Sequence, residues 1–257
     1  MKITKRKIAI ETLERYTGSK FNYFQPYILL TNFPYYVNVF SKKFNSNIYT
    51  GTAMHSSHCL KEKISIVDFR IGSPTAALVI DLLSFINPKA VLMLGMCGGL
   101  RKEHKIGDFF NPVAAIRDEG TSDHYMPARV PALSSFIIQR FVCEELDKLN
   151  LKYHTGVTHT TNIRFWEFEK EFKKKLIEEK VQVIEMECAT LFTAGFARYV
   201  PVGALLLISD LPMTLRGIKT KSSSEHIFNR FTDQHINIGI KVLMNIRDKQ
   251  NNIKYQW

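Results

Sequence analysis

Segments of strand length recur along the chain, separated by stretches with a helical period. The strand-like segments are YILLT (Tyr27 to Thr31), ISIVDF (Ile64 to Phe69), AVLMLG (Ala90 to Gly95) and FFNPVAAI (Phe109 to Ile116). They continue with HTGVTHT (His154 to Thr160), VQVIEM (Val181 to Met186) and VGALLLIS (Val202 to Ser209). In PTAALVIDLLSFI only Asp81 and Ser84 are clearly polar past the first turn, which predicts a helix buried on most sides. Ser73 is placed to cap that helix, with Pro74 at the first helical position. Phe228, Phe231, His235, Ile238, Val242 and Ile246 recur at steps of three and four and predict a core-facing stripe on the last helix. EFKKKLIEEK reads as the solvated face of another helix. Strands alternating with helices predict an α/β fold with a largely parallel sheet. Right-handed crossovers then gather the strand ends on one side, where sites collect. With no repeat and no low-complexity linker, residues 1–257 are expected to form a single domain.

Two of the apolar runs end in carboxylates. VIEMECAT carries Glu185 and Glu187 around Met186, and VGALLLISD ends in Asp210. Carboxylates at the ends of buried strands are costly unless they are paired or put to use. If the strand continues, Glu185 and Glu187 point one way and Met186 the other. Glu187 also reads as an ordinary carboxylate at a helix N-terminus, stabilised there by about 0.3–1 kcal/mol. Asp210, followed by Leu211-Pro212, also reads as a turn residue. That both close adjacent buried runs favours a shared site.

Three further stretches carry candidate chemistry. In LMLGMCGGL, Gly95, Gly98 and Gly99 either let backbone N–H groups approach a ligand or make a tight strand-to-helix turn. The spacing G-x-x-G-G does not match the dinucleotide pattern G-x-G-x-x-G. In FRIGSPTAA a strand ends at Gly72 and a helix begins at Ser73, which is an anion site or simply a capped helix. In HTTNIRFWEF, Thr160, Thr161 and Asn162 precede Arg164, Phe165 and Trp166. Aromatic rings beside polar groups suit a flat heterocycle, since stacking on a base contributes about 1–3 kcal/mol. The same rings could equally anchor the following helix.

Composition narrows the field. Hydrophobic residues make up 45% and charged residues 23% of the chain, which is the globular range. No apolar run approaches the roughly 20 residues that span a bilayer, and the basic N-terminus lacks the apolar region of a signal peptide. Cys59, Cys97, Cys143 and Cys188 form no C-x-x-C pair, which suggests reduced thiols and a cytoplasmic protein. The formal net charge of +11 raises nucleic acid or an anionic substrate as partners. The lysines are scattered, so a charged surface is preferred over a nucleic-acid interface, and no membrane partner is expected.

The order GSPTAA, LGMCGGL, IRDEGTSDHY, HTTNIRFWE, EMECAT and VGALLLISD resembles the purine nucleoside phosphorylase and nucleosidase superfamily. Within it the chain is most similar to the short form of the AMP nucleosidase family, through ERYTG, LLTNFPYYVNVF, CGGLRKEHKIGD, TGVTHTTNIRFWE and SDLPM followed by GIKT. The likeness runs from about Glu11 to the final helix. It implies a three-layer α/β/α fold around a central mixed, largely parallel sheet, and hydrolysis of AMP to adenine and ribose 5-phosphate. It implies Asp210 as the acid that protonates the purine and an ionised Glu187 holding the ribose hydroxyls, with Met186 against the sugar. Phe165 or Trp166 would pack on the base, and Thr161, Gly72, Cys97 and Gly98 would line the site. Candidates for the 5′-phosphate are Lys219, Arg164, the helix start at Ser73, and Asn32. The polar stretch Lys219 to Ser224 would act as a closing flap. In the phosphorylases an arginine usually stands where this chain has Met93, which favours water over inorganic phosphate as the nucleophile. The motif reads EMEC where the family usually has D-M-E, and Met96 stands where a polar or basic residue is common. The likeness implies no cofactor and no metal, and a homo-oligomer, usually a hexamer, with Gly120 to Tyr125 a candidate contribution to a neighbour's site. The alternatives are a purine nucleoside phosphorylase, a nucleosidase acting on unphosphorylated nucleosides, and a non-catalytic nucleotide- or nucleic-acid-binding protein.

Overall fold

The computed structural model describes residues 4–214, 217–218 and 221–249. Four strands pair in parallel at its centre: β1 (Tyr27–Thr31), β4 (Ile64–Asp68), β5 (Ala90–Gly99) and β10 (Val202–Asp210), in the order β4-β1-β5-β10. Beyond β4 the sheet is extended antiparallel by β3 (His55–Cys59) and β2 (Ile48–Thr50). On the other side it closes on itself. β10 pairs antiparallel with β6 (Phe109–Asp118), β6 pairs in parallel with β8 (Tyr153–Thr161), and β8 pairs in parallel with β9 (Val183–Glu185). β9 returns antiparallel to Gly98 and Gly99 of β5, so these five strands form a ring, and short β7 (Ala132–Leu133) hangs on β6.

Strand periodicity divides the core into two layers. Ile28 and Leu30 of β1, and Val202, Ala204, Leu206 and Ile208 of β10, pack with α1 (Lys5–Thr17), α3 (Ser73–Leu83) and α6 (Cys188–Ala197). Tyr27 and Leu29, and Leu205 and Leu207, face α2 (Pro34–Phe44), α4 (Phe136–Lys148) and α7 (Lys221–Lys249). Within α7, His235, Ile238, Val242 and Ile246 are buried, while Phe228 and Phe231 pack partly buried against the same layer. A smaller cluster holds Trp166, Leu176, Val181 and Ile184 beneath α5 (Lys170–Glu178). Among the described residues no helix is long and apolar enough to cross a membrane.

Three details differ from the sequence expectation. β5 does not turn at its glycines but continues through Gly98 and Gly99 as a ten-residue strand. The cap of α3 is Gly72 (φ +97°), and Ser73 is its first helical residue. β3 carries the sequence HSSHC, polar yet almost wholly buried, because each polar group finds a partner. His58 lies 2.8 Å from both the Ser19 and Ser65 hydroxyls, Ser56 lies 2.7 Å from Ser19, and His55 lies 3.1 Å from Asp68.

Leu206 is fully buried where β10 meets β5. Leu206→Ala should lower the unfolding free energy by about 2–5 kcal/mol, seen as a reduced urea midpoint with an unchanged slope. A loss well under 1 kcal/mol would mean that this layer is not close-packed.

Candidate active site

A cavity of about 400 Å³ opens over the C-terminal ends of six strands. Its lining comes from Asn32 and Phe33 after β1, Ile71 after β4, and Met96, Cys97 and Gly98 late in β5. Thr161 at the end of β8 follows, with Ile163, Arg164, Trp166 and Glu167 beyond it. Ile184 and Glu185 of β9, Met186 and Glu187 after it, and Ser209 and Asp210 of β10 complete the wall. The volume lies within the roughly 300–1,000 Å³ of small-molecule sites. Parallel pairing brings the carboxyl ends of β1, β4, β5 and β10 to one edge, and β8 and β9 reach it through the closed ring.

Glu185 organises the wall between β9 and α6. Its Oε2 accepts the backbone N–H of Glu187 and of Cys188, each at 2.7 Å. Its Oε1 accepts the hydroxyls of Thr158 (3.3 Å) and Thr160, and Thr160 in turn accepts the Ala189 N–H at 2.9 Å. Glu185 thereby satisfies N–H groups that the first turn of α6 would leave unpaired. Burial pushes its carboxyl up, against the pull of Thr160 and the two backbone donors.

Glu187 is 2% exposed and accepts the Gly72 N–H at 2.8 Å. Burial first, then the negative charge of Glu185, pushes its carboxyl from an ordinary 4.5 up to about 8. The Gly72 N–H, the Asn32 side chain and the Met186 backbone pull the other way. With four donors aimed at Glu185, the negative charge of the pair sits there, and Glu187 keeps its proton around neutral pH. That direction runs against the expectation of a Glu187 ionised before substrate arrives. The expected alternation also fails: β9 ends at Glu185, so Glu187 and Met186 both line the cavity.

Asp210 reaches the cavity through an irregularity in β10. Its pairing with β5 shifts register between Ile208 and Asp210, a local bulge of the kind that re-aims a side chain. The Ser209 hydroxyl donates to Asp210 Oδ1 at 2.6 Å. Asp210 pairs with Gly98, where an added Cβ would lie 3.0 Å from the Pro212 ring and 3.3 Å from Ile184. Gly98 is needed for close packing of three segments.

The other site candidates separate clearly. Thr161, Arg164, Trp166, Cys97, Gly98 and Asn32 line the cavity together with Met186, Glu187 and Asp210. Ser73 lies behind the wall, donating its hydroxyl to the Met186 carbonyl at 2.8 Å, and Gly72 acts through Glu187. Phe165 lies off the cavity, 69% exposed, with the Arg164 guanidinium 5.6 Å above its ring, so Trp166 is the aromatic turned inward. Arg164 is shared with Glu167, at 3.0 Å. Lys219 lies outside the described residues, and Lys221 to Ser224 open α7. Tyr125 donates to Asp81 of α3 at 2.8 Å, away from this cavity. Among the described residues no group of His, Cys, Asp and Glu is arranged to hold a metal ion. Sequence reasoning gave no role to Glu185 or Glu167, although both stand inside motifs it singled out.

The family model of the phosphorylase superfamily matches residues 26–239. The chain belongs to the phosphorylase superfamily. It is 26% identical over 281 residues to the AMP nucleosidase of Escherichia coli (strain K12), covering 91% of this chain and 58% of that protein. The chain thus spans little more than half the length of that relative. It is 30% identical over 142 residues to the uridine phosphorylase of Thermococcus kodakarensis, covering 51% of each. The crystal structure of AMP nucleosidase from Bacteroides thetaiotaomicron VPI-5482 superposes with a TM-score of 0.86 at 39% identity, covering 97% of this chain and all of that one. Uridine phosphorylase from Vibrio fischeri ES114 superposes at 0.77 with 20% identity, a likeness of fold alone.

Glu187 titrates higher in the fold than in the unfolded chain, so the sign of its linkage follows. The stability it contributes is present below about pH 4.5 and is lost as pH rises towards about 8. Glu187→Gln should flatten that fall. Denaturant midpoints of variant and parent should converge near pH 4.5, with the variant the more stable by a few kcal/mol above pH 8. Parallel pH profiles would remove the assignment.

Proposed function

We propose that this protein hydrolyses the N-glycosidic bond of AMP, giving adenine and ribose 5-phosphate. The observation that carries this is the one cavity into which Asp210, Glu187, Met186 and Trp166 all project. The superposition with an AMP nucleosidase over nearly the whole chain supports the same substrate.

Breaking a purine glycosidic bond builds positive charge on the sugar and pushes electrons into the ring. Asp210 acts as the general acid that delivers a proton to the purine, an effect of typically 10²–10⁴-fold. Trp166 supplies the apolar face for the base. Glu187 accepts the ribose hydroxyls. Those donors favour the ionised carboxylate, so substrate binding releases to solvent the proton that Glu187 otherwise holds, and the resulting charge favours the developing cation.

Water is the nucleophile. Met93 is fully buried in the core, and Met96 presents a thioether to the cavity, so neither offers inorganic phosphate a cationic clamp. Among the described lining residues Arg164 carries the positive charge, at half exposure, which puts the 5′-phosphate of AMP at the rim beside it. That same scarcity of cations favours a second reading, a nucleosidase acting on unphosphorylated purine nucleosides. The proposed setting is a cytoplasmic homohexamer, on the family likeness and on four free cysteines.

Pure protein incubated with AMP, adenosine and inosine, with and without phosphate, separates these readings. Ribose 5-phosphate released from AMP without added phosphate is the expected product. Free ribose from adenosine, with AMP inert, would establish the second reading, and a strict phosphate requirement would overturn both. Asp210→Asn should still bind AMP while losing about 10²–10⁴-fold in turnover. Near-normal turnover would remove the assigned acid.

A further inference from the structure

We propose that Glu167 selects the base by accepting a hydrogen bond from the 6-amino group of adenine; this rests on the purine nucleotide reading of the cavity. Glu167 sits in a short 3-10 turn (Trp166–Phe168) whose residues divide sharply. Phe165 before it and Phe168 within it are each 69% exposed, whereas Trp166 and Glu167 are each 5% exposed and line the cavity. The neighbouring acids Glu169 and Glu171 stand in solvent, so burial belongs to this position and not to the acidic stretch.

The two oxygens of Glu167 have unequal surroundings. Oε1 accepts from Arg164 Nη1 at 3.0 Å. Oε2 is shut off from solvent and has no hydrogen-bond partner among the described residues. A buried carboxylate oxygen left unpaired is costly, and a donor carried by the ligand removes that cost. Arg164 pairs with Oε1 and fixes the carboxylate in place, which leaves Oε2 as the acceptor turned to the ligand.

Strand register locates Glu167 within the cavity. Asp210 pairs with Gly98 and Gly98 pairs with Ile184, so the acid and Ile184 flank the same residue of β5. Ile184 packs in one cluster with Trp166, the residue before Glu167. Glu187 instead meets Gly72, beyond β4, and Asn32, beyond β1, on the opposite side of β5. The base therefore lies towards Asp210, Trp166 and Glu167, and the sugar towards Glu187. At that end adenine offers the N–H groups of its 6-amino substituent. A 6-oxo purine would set a carbonyl lone pair against a carboxylate lone pair, and an unsubstituted purine would leave Oε2 unpaired.

The test is kcat/KM for three nucleotides: AMP, inosine 5′-monophosphate and purine riboside 5′-monophosphate. With the parent protein, AMP should be preferred over both by about 10–100-fold, the range of a hydrogen bond to a charged group. Glu167→Gln, whose amide can also donate, should compress the AMP-to-inosine ratio to within a few-fold by raising turnover of the inosine nucleotide. Equal kcat/KM for AMP and the purine riboside nucleotide in the parent protein would overturn the proposal. So would a folded Glu167→Gln variant that keeps the full preference. If the variant fails to fold, the parent protein with three ligands decides alone. Failure of the underlying reading looks different: no base is released from any of the three nucleotides, and the proposal falls with it.

Discussion

The site depends on one buried carboxylate of the wall whose oxygens are taken up by the protein's own donors. Glu185 gathers two backbone N–H groups from the start of α6 and two threonine hydroxyls from β8. Each such bond to a charged acceptor contributes on the order of 1.5–3 kcal/mol, and leaving the carboxylate unpaired would cost more. The geometry that satisfies it permits little variation. The chain must leave β9 at Glu185, and Met186 and Glu187 must cross towards the amino end of α3. There Ser73 holds the Met186 carbonyl and Gly72 holds the Glu187 side chain. The charge that fixes the wall is also the charge that raises Glu187. Burial is the larger cause of that rise and the charge of Glu185 the second, so structure and protonation in this corner are linked through one carboxylate.

Ring closure supplies the second constraint. β5 runs through Gly98 and Gly99 to meet both β9 and β10, and no side chain fits at either glycine without displacing neighbours. At Gly99 an added Cβ would come within 3.0 Å of Ile208 and Leu211 and 3.1 Å of His104. These contacts bring the end of β10 against the end of β5, where the bulge before Asp210 turns its carboxyl into the cavity. Glycine here acts through close approach of strands, and both residues stay within regular strand.

What the sequence made legible follows from which forces leave a pattern. YILLT and VGALLLISD are buried on both faces, so they read as continuous apolar runs and give their strands almost to the residue. HSSHC leaves no such pattern, because its burial rests on hydrogen bonds to Ser65 and Asp68 of the next strand and to Ser19, far away in sequence. Ser73 has the composition of a cap, yet a distant carbonyl claims its hydroxyl and Gly72 takes the position. Phe165 and Trp166 are equal candidates in one dimension, and only the short turn decides which ring faces in. Glu167 is hidden for the same reason: within FWEFEKEF it is one acid among several, and its burial is a property of that turn.

The charge distribution of the cavity bears on the order of events. Glu167, Glu185, Glu187 and Asp210 line it, against Arg164 among the described cations. A dianion entering this interior would meet the carboxylates of Glu185 and Glu167 in a medium less polarisable than water, where Coulomb terms grow several-fold. A sugar acquiring positive charge would meet the reverse. On the proposed reaction the same residues therefore discourage inorganic phosphate as a nucleophile and favour bond-breaking to a ribosyl cation. Water, being neutral, enters without penalty. On the proposed reaction the substrate phosphate sits at the rim, where Arg164, the cation among the described lining residues, is half-exposed. Hydrolysis is then less a matter of a special base for water than of an enclosure that a cation fits and an anion does not.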